Sequence, residues 1–593
     1  MRRRDFIATS AAAVVAQQTG HPQNATGPTP SAAPALYRGG ADRLGYVKEV
    51  FSPPLTLLWK FATFTQFRNN TSSPIASGDG RLFFAVSKDV YGVDAETGEP
   101  LWKKKGTDDS YTYSLPLTDA VASPLAFFPP NLVLLGTKAT RDKSLIAVNA
   151  DTGAVAWDFN AGGAVYSSPV LAGNQVLFGT TSGKIWGATL TPTALENAWS
   201  VSVEGAVTGA LAVAGNLAYA ASGDVLYAIN LTTKRIVWQG GMGDTTNSGP
   251  VIVGSQVIVA AGERLVGFQK DSGARLWTRA LASNARINGS PAVRGTTLFF
   301  GADEFVYAFD FVQGRSPWKK SPVKVDGRVL TSPFVSDTGA FAATIRGHLF
   351  GFSPSDGAVQ WTYRLPTTTK GDNGVSAAPL IHGGRYYVLA DDGTLFCFAA
   401  ENVDVGAPEV LDASLRVVAR DRKPAKYPVD PWADDVAPDE LFTVPGKGPI
   451  GFEFLLEDQG SGVNWDTLKV FLDDNPVKLV RSDSSEPVVN KLKSTVTLEL
   501  LARPTEGTSA RPLADGIHKV RLEVRNWAGN EVRDVRPFRV DNSALPPDAP
   551  VRDPANAGGG NTGGFGGQGG RGGSNPAGGG RGGGGRGGGG SGS

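Results

Sequence analysis

From residue 57 to about residue 400 the chain alternates short apolar runs with polar turns at a regular interval. Runs such as Gln175–Gly179 and Gln256–Val259 are rich in β-branched and aromatic residues, the composition of short strands bounded by turns. Trp recurs at Trp59, Trp102, Trp157, Trp199, Trp238, Trp277, Trp318 and Trp361, at intervals of 39 to 55 residues. A second series runs out of phase with it: Ser73-Pro74, Ser123-Pro124, Ser168-Pro169, Gly209-Ala210, Gly249-Pro250, Ser290-Pro291, Ser332-Pro333 and Ala378-Pro379. Within the unit, steps of four recur, as in Asp94, Gly98, Trp102 and in Asn149, Gly153, Trp157. An Asp or Asn closes a turn with its own side chain, and Gly four residues on supplies the positive φ of a tight reversal. The Trp then covers a large area with a rigid body and fills the gap between neighbouring units.

Four short strands in roughly 40–45 residues is the period of a propeller blade. Both series have eight members, so the pattern predicts an all-β fold built on an eight-bladed β-propeller over residues 37–403. The strand at Leu57–Phe61 precedes the first Ser-Pro pair, whereas the last unit, ending near Phe398, has no Trp after it. The N-terminal strand is therefore expected to complete the last blade. One wider interval, from Trp102 to Trp157, holds an insertion around Gly106–Leu117.

Outside the repeat the pattern changes. Residues 404–545 carry strict alternation in Phe452, Phe454, Leu456; in Leu468, Val470, Leu472; in Val496, Leu498, Leu500; and in Val520, Leu522, Val524. This predicts half-buried strands of a small β-sandwich. Residues 546–593 are dominated by Gly, with Arg552, Arg571, Arg581 and Arg586, a composition that buries no core and predicts disorder. Residues 1–16 read as a twin-arginine-like export signal, with Arg3-Arg4, Phe6 and Ile7 before a short apolar run, and residues 17–36 as a disordered spacer.

Composition narrows the functions. With 57 basic against 56 acidic side chains and a net charge of +1, no whole-protein field draws nucleic acid. One Cys forbids an intrachain disulfide and any Cys-based zinc site. No run reaches the roughly 18 apolar residues of a spanning helix. His21, His348, His382 and His518 are scattered and form no metal or triad spacing. Asp391-Asp392 before Gly393 and Asp473-Asp474 before Asn475 read as hairpin turns rather than as acid and base.

The Ala/Gly-x-Asp/Asn, Thr-Gly and Trp unit, preceded by the Tyr37–Gly45 segment, resembles the pyrroloquinoline quinone (PQQ) repeat family of eight-bladed propellers. That resemblance implies one of two uses: a quinoprotein dehydrogenase binding PQQ and Ca²⁺, or a cofactor-free protein-binding scaffold similar to BamB. Quinoprotein alcohol dehydrogenases place a disulfide of adjacent cysteines against the quinone, and Cys397 has no partner cysteine. Cys397 also falls in the small-residue slot filled elsewhere by Gly92, Ala147, Gly187, Ala228, Gly267, Ala308 and Gly351, which makes it a core residue. Neither PQQ nor calcium is expected. Asp458–Gly462, the turn at Asp515-Gly516 and Asn526–Asn530 resemble bacterial immunoglobulin-like modules, usually spacers or adhesive units.

The expected function is an exported, periplasmic or cell-surface scaffold that binds a protein or envelope component without catalysis. The alternatives are a PQQ-dependent oxidoreductase or another enzyme acting at the channel mouth. Loops entering the Ser-Pro strands should converge on one end of the channel. They carry the candidate contacts Arg68, Asn69, Tyr166, Asn247, Arg286, Asn288, Arg328 and Asn373, with Arg286 and Arg328 expected side by side as an anion or carboxylate site.

Overall fold

A computed structural model describes residues 36–63, 71–76, 79–105, 111–129, 131–281, 285–368, 371–401, 404–419, 423–431, 437, 440–446, 450–477, 489–490, 495–501 and 513–548. Residues 1–16, expected to be an export signal, most of the expected spacer, and the Gly-rich tail beyond residue 548 lie outside these residues. Among the described residues every regular element is a strand, and no helix is long and apolar enough to cross a membrane.

Among the described residues, eight antiparallel sheets of four strands, I to VIII, span residues 71–116, 126–159, 170–202, 212–241, 251–280, 292–324, 334–364 and 380–399. The fourth strand of sheet VIII is Thr56–Ala62, which pairs antiparallel with Thr394–Ala399. The first strands of neighbouring sheets touch around the ring, III with IV, IV with V, VI with VII, VII with VIII and VIII with I. This is a β-propeller arrangement with the Ser-Pro strands innermost. The insertion of sheet I forms a two-stranded ribbon, Lys104–Lys105 against Tyr111–Thr112.

The repeated residues act at the joints between sheets. Asp94 Oδ1 accepts hydrogen bonds from the backbone N–H groups of Glu96 (3.0 Å) and Thr97 (2.8 Å), closing the turn. Gly153 has φ +66°, and a Cβ there would lie 2.5 Å from Cδ2 of Trp102 in the preceding sheet, so Gly is required for both conformation and space. Trp102 Nε1 donates to the carbonyl of Ala150 in the same turn (2.8 Å). Trp238 donates likewise to Lys270 (2.9 Å) and Trp318 to Pro354 (3.1 Å). Within a sheet the small slot faces the Trp: Gly187 pairs with Trp199, Gly267 with Trp277, Gly351 with Trp361 and Cys397 with Trp59. Cys397 is fully buried, and burial pushes its thiol far above the ordinary range, so it is core rather than nucleophile.

Two five-stranded sheets follow the repeat. One contains Glu409–Val418, Ile450–Glu457 and Thr495–Leu501; the other contains Val463–Leu472, Gly516–Asn526 and Glu531–Val540. Leu415, Phe452 and Phe454 from the first share one core with Val470, Leu522 and Phe538 from the second, so alternation along each strand buries one face against the other sheet. Strand Glu409–Val418 escapes the sequence reading because a register shift between Val410 and Asp412 interrupts its alternation.

This module is docked on the propeller. The fourth strand of sheet VIII comes from the N-terminus, so no hairpin turn joins it to Thr394–Ala399, and Trp361 of sheet VII lacks the turn acceptor that Trp102, Trp238 and Trp318 have. Trp199 and Trp277 bond Gln175 and Gln256 of their own sheets instead. At Trp361 the module loop Asp458–Gly462 takes the place of the turn. Trp361 Nε1 donates to Ser461 O (3.0 Å), the Tyr363 hydroxyl to Gln459 O (3.1 Å), and Leu57 N of the closing strand to Gly460 O (3.0 Å). In return Trp527 Nε1 donates to Thr362 O (3.2 Å). Asp458 Oδ1 caps the loop by accepting from Gly460 N (3.1 Å) and Gly462 N (2.7 Å), much as Asp94 does in a repeat turn. Behind it Asp404 Oδ2 accepts from Ser461 N and Oγ and from Asn526 Nδ2, at 2.7–2.8 Å.

Candidate functional site

The segment before the first strand crosses the channel. Carbonyls of Ala41, Asp42, Leu44 and Gly45 accept from Val213, Ile252, Val293 and Val335, which sit on the innermost strands of sheets IV to VII. Arg38 and Arg43, 4 % and 1 % exposed, hold this strap down. Arg38 donates to the carbonyls of Arg43, Ser290 and Pro291, and Arg43 to those of Tyr37, Leu211, Ser168 and Pro169. Burial lowers their pKa to about 10 and about 9, still charged at neutral pH.

Tyr37 of the strap lines a cavity of about 240 Å³ whose other walls come from the starts of all eight innermost strands: Ser, Thr, Gly or Asn with a few Ala, Val, Leu and Pro in seven of them, and Tyr166 at the third. Serine hydroxyls stitch one sheet to the next. Ser73 Oγ accepts from Ala378 N (3.0 Å), Ser290 Oγ from Gly249 N (3.0 Å), and Ser332 Oγ from Ser290 N (2.9 Å). Ser72 Oγ and Thr331 Oγ1 are buried beside the same cavity without a hydrogen-bond partner. The mouth is thus a neutral belt of hydroxyls, amides and backbone groups, suited to hydrogen bonding a polar ligand or a main chain.

Of the expected contacts, Tyr166, Asn247 and Asn288 line this cavity. Asn247 Oδ1 accepts from Thr208 Oγ1 (3.1 Å), and Asn288 Nδ2 donates to Arg286 O (3.2 Å). Arg286 and Arg328 are not among its walls; Arg286 Nη2 reaches Thr245 Oγ1 at 3.5 Å. Asn373 is 3 % exposed, and its Oδ1 accepts from Asp392 N (3.2 Å), a structural bond under the Asp391–Gly393 turn. Arg68 and Asn69 lie outside the described residues. The sequence reading missed the belt itself. The Ser of each Ser-Pro pair was visible, but as a marker of period rather than as a lining group.

No carboxylate is among the described residues lining the cavity. Ca²⁺ draws six to eight oxygens, with carboxylates prominent, so this donor set does not fit the calcium of a quinone site. Elsewhere Asp473 and Asp474 sit at positive φ in a hairpin turn, and Asp473 Oδ2 meets His518 Nδ1 at 2.6 Å on the module surface.

A family model described as outer membrane protein assembly factor BamB matches residues 51–191, 188–321 and 302–405, together more than half of the chain. The chain is 24% identical over 348 residues to the outer membrane protein assembly factor BamB of Burkholderia pseudomallei, covering 55% of this chain and 83% of that protein. Among solved structures it is similar to BamB from Moraxella catarrhalis (16% identity, 58% of this chain and 99% of that one, TM-score 0.45). It is also similar to a europium-containing methanol dehydrogenase (11% identity, 61% and 97%, TM-score 0.49).

Proposed function

The chain belongs to the family described as outer membrane protein assembly factor BamB, and from that premise we propose that it is an exported, non-catalytic scaffold binding a protein of the cell envelope. The observation that carries this reading is the family match running through the whole set of repeated sheets. The neutral, hydroxyl-lined mouth supports it, since such a belt suits the polar groups of a protein surface. In this reading the eight four-stranded sheets are the blades of one eight-bladed ring, and the two five-stranded sheets are an immunoglobulin-like module. PQQ and calcium have no part in it.

A photo-crosslinking residue at Asn288, compared with one at the exposed outer-strand position Val237, tests the reading in cells. A discrete envelope protein crosslinked from position 288 and not from 237 is the expected result. Quinone-dependent dye reduction after reconstitution with PQQ and Ca²⁺ overturns it.

A further inference from the structure

The docked module and the propeller enclose a groove remote from the channel mouth. Two adjoining cavities, of about 140 and 410 Å³, share the walls Asp326, Phe350, Thr362 and Trp465. Thr362 belongs to the outer strand of sheet VII and Trp465 to the module, so neither part makes the groove alone. The bonds from Trp361 to Ser461 and from Leu57 to Gly460 hold its two sides together, which makes it preformed.

Its walls combine two chemistries. Phe350, Trp465 and Trp527 are aromatic. Trp465 is delivered by a break in strand pairing: Asn464 pairs with Arg525, pairing resumes only at Lys469 with Glu523, and the residues between are released from the ladder. Bulges of this kind re-aim side chains and gather at binding sites. Leu411 and Val359 add apolar surface that is 48% and 39% exposed. The carboxylates of Asp326, Glu457 and Asp466 line the same space, and none forms an ion pair with a described residue. Against them stand Lys324, His348 and Arg364, the last already paired with Asp372 at 3.6 Å.

Acidic groups lining the same groove as indole rings favour a cation: a guanidinium stacks on Trp and pairs with a carboxylate, while aliphatic neighbours cover Leu411 and Val359. We propose that this groove binds an extended segment of a partner protein in which Arg or Lys alternates with aliphatic residues. The site is separate from the channel mouth, so crosslinking at Asn288 and binding here succeed or fail independently.

The test is fluorescence anisotropy on the full chain with two labelled hexapeptides, one of alternating Arg and Leu and one of alternating Glu and Leu. Binding of the Arg peptide alone, weakened by salt, is expected. Trp465→Ala, and separately Asp326→Asn with Asp466→Asn, should each weaken it by about tenfold or more, while Asn247→Ala leaves it unchanged. The carboxylate pair, Asp466 exposed and Asp326 half-buried, keeps the test open if Trp465→Ala fails to fold. Equal binding of both peptides, or full binding by both groove variants, overturns the proposal. So does Trp465-dependent binding of an N-acetylglucosamine trimer without the peptide, which would make the groove a glycan site. Displacement of the Arg peptide by a synthetic copy of residues 569–593 would assign it to the chain's own tail and overturn the partner.

Discussion

Two kinds of joint hold the sheets together. At the joint between sheets I and II, Trp102 rests on Gly153 and donates to Ala150, all within the repeat. At sheet VII, Trp361 has the same ring and the same donor, but its acceptor, Ser461, lies 100 residues away in another module. At Trp102, Trp238 and Trp318 the acceptor lies in the turn that follows the next sheet's third strand. The last joint has no such turn, because the N-terminal strand completes sheet VIII. A loop with the same capping chemistry, Asp458 over Gly460 and Gly462, occupies the position. The module is therefore part of the packing of sheets VII and VIII, not an appendage held by its linker alone.

The largest expected effect separates the joints by what they release. Trp102→Ala and Trp361→Ala each remove a buried indole and should cost about 3–5 kcal/mol in denaturant unfolding. Only Trp361→Ala should also expose the connection near residue 404 to limited proteolysis; equal cleavage in both variants would mean that Ser461 does not hold the module to the propeller through Trp361. Next, Gly153→Ala and Gly462→Ala place a Cβ at positive φ, 2.5 Å from Trp102 Cδ2 and 2.8 Å from Thr362 O respectively. Each should cost about 2–3 kcal/mol, with hydrogen exchange rising around the altered joint and not around the other.

Asp404→Ala removes the acceptor of Ser461 N and Asn526 Nδ2 and should cost about 1–2 kcal/mol. Its effect should appear as faster exchange of the Ser461 amide with the ring amides protected. The smallest effect is a pH dependence. Burial foremost, then neighbouring Asp404, raises the Asp458 pKa above its ordinary 3.8, against the pull of its backbone hydrogen bonds. The folded chain therefore holds that proton more tightly than the unfolded chain, and this group's contribution to stability is present below pH 3.8 and lost as pH rises through its higher folded value. Asp458→Asn keeps the cap acceptor and should flatten the unfolding free energy in that window; an unchanged slope would deny Asp458 the role.

The repeat was legible because its physics is local. Asn149, Gly153 and Trp157 lie within one turn and the two strands it joins, and their spacing is the geometry itself. Cys397 was readable as core for the same reason, since its slot recurs at Gly187, Gly267 and Gly351. The strap was not legible: Arg38 and Arg43 look like surface cations in a Gly-rich segment, yet five of their seven acceptors lie 125 to 253 residues away. The mouth was half legible. Tyr166, Asn247 and Asn288 follow from loop position, but burial of Asn373 and the turn of Arg286 toward Thr245 depend on neighbouring sheets.

By itself, then, the sequence determined the strands, their turns, the Trp joints and the alternating faces of the module, because each depends on residues a few positions apart. Tertiary structure alone decided that the strap crosses the channel on two buried arginines, that Ser461 stands in for a missing repeat turn, and that Trp465 and Phe350 line one groove. Those contacts join segments with no shared period, and only the closing of the ring brings their donors and acceptors into range.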